Sequence, residues 1–246
     1  MIKADIQYVR SLADKRQRDL DRVFIAEGDK LIGEILDSGL RIKKIYALDG
    51  HFDGKAETVS PKEMERISQL KTASTSLAIV EQPRHRTPAT APSDKLSLAL
   101  DGVQNPGNLG TIIRLADWFG IEDIFCSELS ADCYNPKVVQ ATMGAILRVR
   151  VHYLPLADFL KRTAAEATPI YGTMLDGENI YDAELRNHGV IVMGNEGRGV
   201  SQECTAAFTH KLLVPTYPES RQGSESLNVA MATGIVCAEF RRRARG

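Results

Sequence analysis

The chain has 246 residues, 43% of them apolar and 26% charged, a composition that fits a packed globular protein and excludes disordered or collagen-like chains. A chain of this length forms one large domain or two smaller ones and buries about 70% of its unfolded surface, so it needs no disulfide or metal staple. Thirty-one Lys and Arg stand against 32 Asp and Glu, for a net charge of −1, which excludes a global basic field and leaves any basic surface local.

The opening MIKADIQYVR carries charge in its first positions without an apolar stretch behind it, and no 18-residue apolar run occurs anywhere. The expectation is a soluble, cytoplasmic chain without a membrane span. QYVRSLADKRQRDLDR mixes both signs of charge and reads as a solvated helix face. RVFIAEG, IKKIYALDG and TSLAIVEQP are short apolar runs. Between the first two, GDKLIGEILDSGL places Leu31, Ile32, Ile35, Leu36 and Leu40 at helical spacing, with Gly39 as a terminator. Residues 1–82 thus read as a small α/β domain. PRHRTPATAPSDK, residues 83–95, has three prolines, can form neither helix nor central strand, and reads as a linker.

Residues 96–246 read as a second α/β domain. LSLALDGV, EDIFCSE, TPIYGTML, GVIVMGN and HKLLVPTY are apolar runs of the kind buried on both faces of a parallel sheet. TIIRLADWFG, PKVVQATMGAIL, PLADFLKRTAAEA, VSQECTAAF and LNVAMATGIVCAEFRRRARG read as the intervening helices. Cys126, Cys133, Cys204 and Cys237 form no C-x-x-C pair and read as reduced thiols, and the five scattered histidines offer no zinc spacing, so no metal site is expected.

Ligands of open α/β sheets sit beyond the carboxyl ends of the strands, and three stretches follow such ends. In the first, residues 101–120, an Asn-Pro-Gly-Asn loop leads into a helix whose buried stripe is Ile112, Leu115, Ala116 and Phe119. Arg114 lies about 200° from Ile112 and points outward, and a cation in the first turns of a helix is best placed with an anionic partner such as phosphate. The second, GVIVMGNEGRGVSQE, holds Gly194, Gly197 and Gly199 before a helix that Ser201 can cap, yet matches neither dinucleotide nor P-loop spacing. The third, residues 212–240, runs from a strand ending at Pro215 through a polar loop to a helix starting near Ser224 or Ser226. No serine has a nucleophile context, which speaks against covalent hydrolase chemistry.

Taken in order, NPGNLGTIIRLADWFG, VIVMGNEGRGVS and LLVP followed by SLNVAMATGI resemble the three motifs of SpoU-type (TrmH-like) RNA ribose 2′-O-methyltransferases of the SPOUT superfamily. The resemblance covers most of residues 98–240, and more loosely the first 82 residues resemble that family's N-terminal substrate-binding domain. It implies a parallel-sheet catalytic domain tied in a deep trefoil knot, S-adenosylmethionine as cofactor, and a homodimer formed through the knotted domain. It implies that Thr173, Gly194, Val214 and Leu227 line the cofactor pocket, and that Asn105, Arg114, Glu196, Ser226 and Asn228 serve catalysis and substrate placement. The substrate implied is structured RNA, ribosomal RNA ahead of transfer RNA. A non-catalytic RNA-binding or ribosome-assembly protein of the same fold, and a different α/β enzyme, are the alternatives. Local RNA contacts fall to Arg16, Arg18, Arg22 and the C-terminal arginines. The loop 215–225 is longer than is usual in that family.

Overall fold

The computed structural model describes residues 1–52, 54–218 and 226–244. In chain order the elements are α1 (Lys3–Ser11), α2 (Lys15–Asp21), β1 (Val23–Glu27), α3 (Asp29–Ser38), β2 (Ile42–Ala47), β3 (Glu57–Thr58), α4 (Pro61–Ile67), β4 (Ser76–Glu81), β5 (Leu96–Leu100), α5 (Pro106–Trp118), β6 (Asp123–Cys126), α6 (Pro136–Thr142), β7 (Arg150–Tyr153), α7 (Leu156–Ala165), β8 (Ile170–Asn179), β9 (Gly189–Met193), α8 (Gln202–Thr205), β10 (His210–Leu213) and α9 (Val229–Arg243). They divide into two compact units: residues 1–85 with 132–147, and residues 86–131 with 148–246.

In the first unit a four-stranded sheet has the order β1-β4-β2-β3, with β4 antiparallel to both β1 and β2. One face packs Ile6, Val9 and Leu12 against Val23, Ile25, Met64, Ile67 and Leu77. The other takes Ile32 and Ile35 of α3 against Phe24, Ala26, Ile45 and Val80. Gly39 closes α3 at φ +77°; of the apolar residues at helical spacing, Ile32 and Ile35 are buried and Leu36 is exposed. The charged stretch 7–22 folds as two helices separated at Leu12–Asp14, with the Asp14 side chain capping α2. It is not solvated throughout. Arg18 is 1% exposed, donates from Nη1 to the carbonyls of Leu12 (2.8 Å) and Ala13 (2.7 Å), and donates from Nη2 to Asp132 (2.6 Å). A buried guanidinium spent on two carbonyls and a carboxylate is no RNA contact, which corrects the expectation for Arg18; Arg16 and Arg22 are exposed.

The helix read in PKVVQATMGAIL is broken. α6 stops where Met143 and Gly144 turn to φ +50° and +89°, and a 3-10 turn, Ala145–Leu147, follows. The positive φ of Gly144 favours glycine there, and the Glu34 carboxylate lies against its open face. Tyr134 stacks on Phe24 at 5.2 Å and Val139 joins the α3 cluster, which is why this segment groups in space with the first unit.

The second unit holds a six-stranded, wholly parallel sheet of order β10-β8-β9-β5-β6-β7. The inner β5, β6 and β9 are buried at every residue, whereas the edge strands β7 and β10 are only partly so, as layers of helices on both sheet faces require. The edge strand β7 escaped the sequence reading because RVHY lacks an apolar run. Its polar residues are held by Asp123, which accepts from Arg150 Nε (2.7 Å) and bonds His152 Nε2 (2.9 Å), while His152 stacks on Phe125. The proline-rich stretch has no helix or strand, yet its latter part is not free: Ala91 is buried and its N–H donates to Thr163 on α7, and Arg162 donates to the Ala89 carbonyl. All four cysteines are buried and none is in a disulfide.

Candidate functional site

Proline at the first helical position fixes where α5 begins, since its missing N–H belongs among the orphan donors of a helix start. Asn105 is therefore the N-cap, and its side-chain oxygen accepts from the N–H groups of Gly107 (2.8 Å) and Asn108 (3.2 Å). With the helix starting at Pro106, Arg114 is in its third turn and not its first, so the dipole argument for an anionic partner does not apply. The outward direction does hold: Leu109, Gly110, Ile112, Ile113 and Ala116 are buried, Leu115 and Phe119 are only partly so, and Arg114 is exposed. Among the described residues no carboxylate pairs with its guanidinium. Thr111, Arg114 and Trp118 share this outer face, and Trp118 is 82% exposed.

α9 lies alongside α5 and parallel to it. Asn228 reaches Asn108 at the start, Leu115 stands 3.6 Å from where a Cβ on Gly234 would be, and Arg241 donates to the carbonyls of Phe119 (2.7 Å) and Gly120 (3.1 Å) at the end. Arg241 thus meets the negative end of the α5 dipole. Arg242 and Arg243 pair with Glu239, and Arg243 also donates to the Tyr181 carbonyl. Arg241 and Arg243 are committed within the chain, contrary to the RNA contact expected of them, whereas Arg242 pairs with Glu239 and stays exposed; Arg245 lies outside the described residues.

The N-cap of α9 is Asn228, whose oxygen accepts from the N–H groups of Ala230 (3.0 Å) and Met231 (3.3 Å). Neither expected serine begins this helix. Ser226 is exposed two residues earlier, and Ser224, like residues 219–225 as a whole, lies outside the described residues. Because the Asn228 oxygen is used by the cap, its amide is free to donate to Asn108 Oδ1 (3.0 Å), and the Asn108 amide in turn donates to Glu196 Oε1 (2.5 Å). Asn108, which the sequence reading did not single out, joins all three motifs. The signal was present: with Asn105 consumed as the cap before Pro106, the polar side chain left at the helix start is that of Asn108.

Glu196 is held by a tight loop. Asn195 and Gly199 exchange both backbone hydrogen bonds (2.9 Å each), Asn195 Oδ1 accepts from the N–H groups of Gly197 and Arg198, and its amide donates to the Gly102 carbonyl. The loop returns so closely that a Cβ on Gly194 would lie 2.3 Å from the Gly199 carbonyl carbon and 2.4 Å from the Val200 nitrogen. Ser201 occupies the N-cap of α8 without a side-chain capping bond; its N–H donates to Asp101 instead.

The expected pocket residues separate into two groups. Gly194 and Val214 follow the carboxyl ends of β9 and β10, and Thr173 lies within β8 one residue past Gly172, where its pairing with β9 ends; the three strands are neighbours in the sheet. Thr173 donates to the Val192 carbonyl (3.1 Å), and beyond Gly172 the pairing of β8 with β10 is interrupted until Glu178. Leu227, in contrast, is 52% exposed and is not seen to contact the other three. Asn108, Glu196 and Asn228 are brought together; Asn105 adjoins them as a cap, whereas Arg114 and Ser226 make no described contact with them.

Residues 95–238 match a family model described as the SpoU rRNA methylase family, and residues 3–84 match one described as an MRM3-like substrate binding domain. The 23S rRNA (guanosine(2553)-2′-O)-methyltransferase RlmP of Bacillus subtilis is 30% identical over 243 residues, covering 94% of each chain. Among solved structures, a chain from Porphyromonas gingivalis assigned to the TrmH family of RNA methyltransferases superposes with a TM-score of 0.86 at 38% identity, covering 99% of both chains. An AdoMet-bound rRNA methyltransferase from Sinorhizobium meliloti gives 0.85 at 29% identity, covering 98% of this chain and 95% of its own.

Proposed function

Because the chain belongs to the SpoU rRNA methylase family, we propose that it transfers a methyl group from S-adenosylmethionine to a ribose 2′-hydroxyl of ribosomal RNA, as the names of its relatives support. The observation that carries the reading is the corner where Asn108 joins Glu196 to Asn228 at the start of the helix presenting an exposed, unpaired Arg114.

The adjacent strand ends fit the cofactor. Thr173, Gly194 and Val214 carry no charge and offer backbone groups on neighbouring strands, a setting suited to a flat adenine and, through carbonyl oxygens, to a sulfonium. When bound, S-adenosylmethionine supplies an electrophilic methyl on a sulfonium. The part assigned to Arg114 follows from its chemistry: a guanidinium stays protonated at any working pH, so it does not accept the hydroxyl proton. It holds the neighbouring phosphate and stabilises charge developing on the 2′ oxygen. The Asn108, Glu196 and Asn228 chain fixes the two helix starts relative to the glycine loop, and the exposed Ser226 and Asn105 offer hydrogen bonds to the ribose. Methyl transfer needs such positioning because the oxygen must approach in line with the sulfonium.

The same proposal includes a knotted C-terminal segment, a first domain (1–82) and linker (83–95) ahead of the catalytic domain (96–246), and a cytoplasmic location. It includes a homodimer through the faces of α5 and α9, where Trp118 and Met231 are 82% and 64% exposed. No helix among the described residues is long and apolar enough to cross a membrane. The test is transfer of labelled methyl to unmodified ribosomal and transfer RNA pools, with mapping of alkali-resistant linkages. A 2′-O-methyl mark on ribosomal RNA, absent with Arg114→Ala while cofactor binding persists, supports the proposal. A mark on transfer RNA alone changes the substrate, and full turnover by Arg114→Ala removes that residue's role.

A further inference from the structure

The first unit carries an open cavity of about 360 Å³ where the last turns of α1 and α4 come together, lined by Arg10, Ala13, Glu65, Arg66, Ser68 and Gln69. Arg10 and Arg66 are exposed, and among the described residues neither makes an ion pair. That is notable because Glu65 shares the lining and pairs with neither. Two guanidiniums facing one cavity repel each other, and the geometry leaves their donors for an outside acceptor. Each also sits at a helix C-terminus, which stabilises the cation without consuming its hydrogen bonds.

The floor is fixed from beneath. Glu27 is 5% exposed and accepts from the Ser68 hydroxyl (2.6 Å) and the Gln69 N–H (2.7 Å). These bonds hold the Ser68–Gln69 corner in place, so the cavity is preorganised and not a gap between mobile side chains. A separate groove of about 420 Å³ at the α1–α2 corner is lined by Ser11, Asp14, Arg16, Gln17 and Leu20. Its Asp14 offsets the charge of Arg16, so the excess positive charge belongs to the first cavity.

We infer that the α1–α4 cavity seats the phosphodiester backbone of the substrate RNA, with Arg10 and Arg66 as its phosphate ligands; the inference rests on the RNA reaction proposed above. Two guanidiniums from separate helices on one open cavity, neither in an ion pair, fit the successive phosphates of a polymeric anion better than a single free phosphate, and phosphate contacts of this kind position RNA without reading its sequence. They also release counterions, so they appear in the salt dependence of binding.

The experiment measures binding of the full chain to unmodified ribosomal RNA between 50 and 200 mM salt, alongside methyl-transfer kinetics. In the double variant Arg10→Ala, Arg66→Ala, loss of two contacts lowers the slope of log affinity against log salt by roughly 1.4–1.8. The KM for RNA rises about tenfold or more, while the KM for S-adenosylmethionine and kcat at saturating RNA stay unchanged. Arg10→Lys with Arg66→Lys retains most of the slope, and Glu65→Gln tightens binding. An unchanged slope and RNA affinity in an alanine variant that melts like the wild type, or no tightening with Glu65→Gln, overturns the inference. The two proposals fail separately: wild-type protein that binds RNA through these arginines but transfers no methyl sinks the activity alone. A double variant with normal transfer and slope sinks the cavity alone.

Discussion

Replacing Asp132 with alanine removes the sole carboxylate described as facing the Arg18 guanidinium. Arg18 is 1% exposed, Asp132 is 12% exposed, and they meet at 2.6 Å. The guanidinium cannot escape by deprotonating. Its remaining partners are the carbonyls of Leu12 and Ala13, and its Nε has no hydrogen-bond partner. Leaving one member of a buried ion pair without the other costs about 3–5 kcal/mol, a large share of the roughly 5–15 kcal/mol that holds a domain together. For a unit of about 100 residues this lowers the melting temperature by more than about 10 °C. Part of the loss comes from Asp132 Oδ1, which accepts from the Tyr134 N–H in the turn before α6, so the pair term needs a double-mutant cycle. Arg18→Met removes the charge itself, and on that background Asp132→Ala costs much less, giving a coupling energy above about 2 kcal/mol. Thermal and urea unfolding of the four proteins, followed by circular dichroism, provide the measurement. Coupling below about 0.5 kcal/mol, or a salt slope of RNA binding that changes with Arg18→Met in a folded protein, would refute the reasoning and return Arg18 to the RNA surface.

Asn108→Ala disconnects Glu196 from Asn228 and is expected to lower kcat at least tenfold with cofactor affinity nearly kept; Asn105→Ala, besides any ribose contact, loses a helix cap, costing about 1 kcal/mol of stability that Asn108→Ala does not. Equal effects in kinetics and melting would deny Asn108 its joining role. Gly194→Ala forces a Cβ against the backbone of Gly199 and Val200, so isothermal titration should find S-adenosylmethionine binding lost; unchanged affinity refutes the proposed pocket. Burial raises the proton affinity of Asp123, but hydrogen bonds from His152 and Arg150 outweigh it and hold the carboxyl well below the usual range. The stability this supplies is complete above about pH 4 and is lost as pH falls toward the depressed value. In Asp123→Asn, acid unfolding curves should therefore lose this component, and a wild-type slope below pH 4 contradicts the assignment. Trp118→Asp places a charge on the proposed dimer face and should give monomers by sedimentation, whereas dimers that persist exclude that face.

The parallel sheet was legible because its inner strands must be apolar on both faces, and LSLAL and GVIVM are buried throughout, as read. Where pairing rather than burial holds an element, the pattern is silent: β7 is fixed by Asp123, Arg150 and His152, none of which marks a strand. Charge was the more misleading guide. The stretch around Arg18 has the composition of a solvated helix, and only a carboxylate 114 positions along the chain turns one of its arginines inward. Arg241 and Arg243 followed the same logic, since the carbonyls and carboxylate that occupy them come from other elements and from Glu239 one turn earlier.

The candidate site was legible in its motifs and less so in the duties of individual residues. Both asparagines of the Asn-Pro-Gly-Asn turn carry the same side chain, and what separates them is backbone chemistry. Proline at the helix start assigns Asn105 to capping, whose geometry takes its oxygen for two backbone amides, and so leaves Asn108 to face the other motifs. The same division operates within Asn228, whose oxygen caps α9 while its amide reaches Asn108. A side chain with a separate acceptor and donor can close a helix and bridge to a neighbour at once, which serine, with one oxygen, does less well in this geometry. That is the physical reason for asparagine at these starts, and it makes the corner depend on where α5 and α9 begin. The exposed Arg114 then inherits its direction from the phase of α5, which the buried Leu109, Ile112, Ile113 and Ala116 fix.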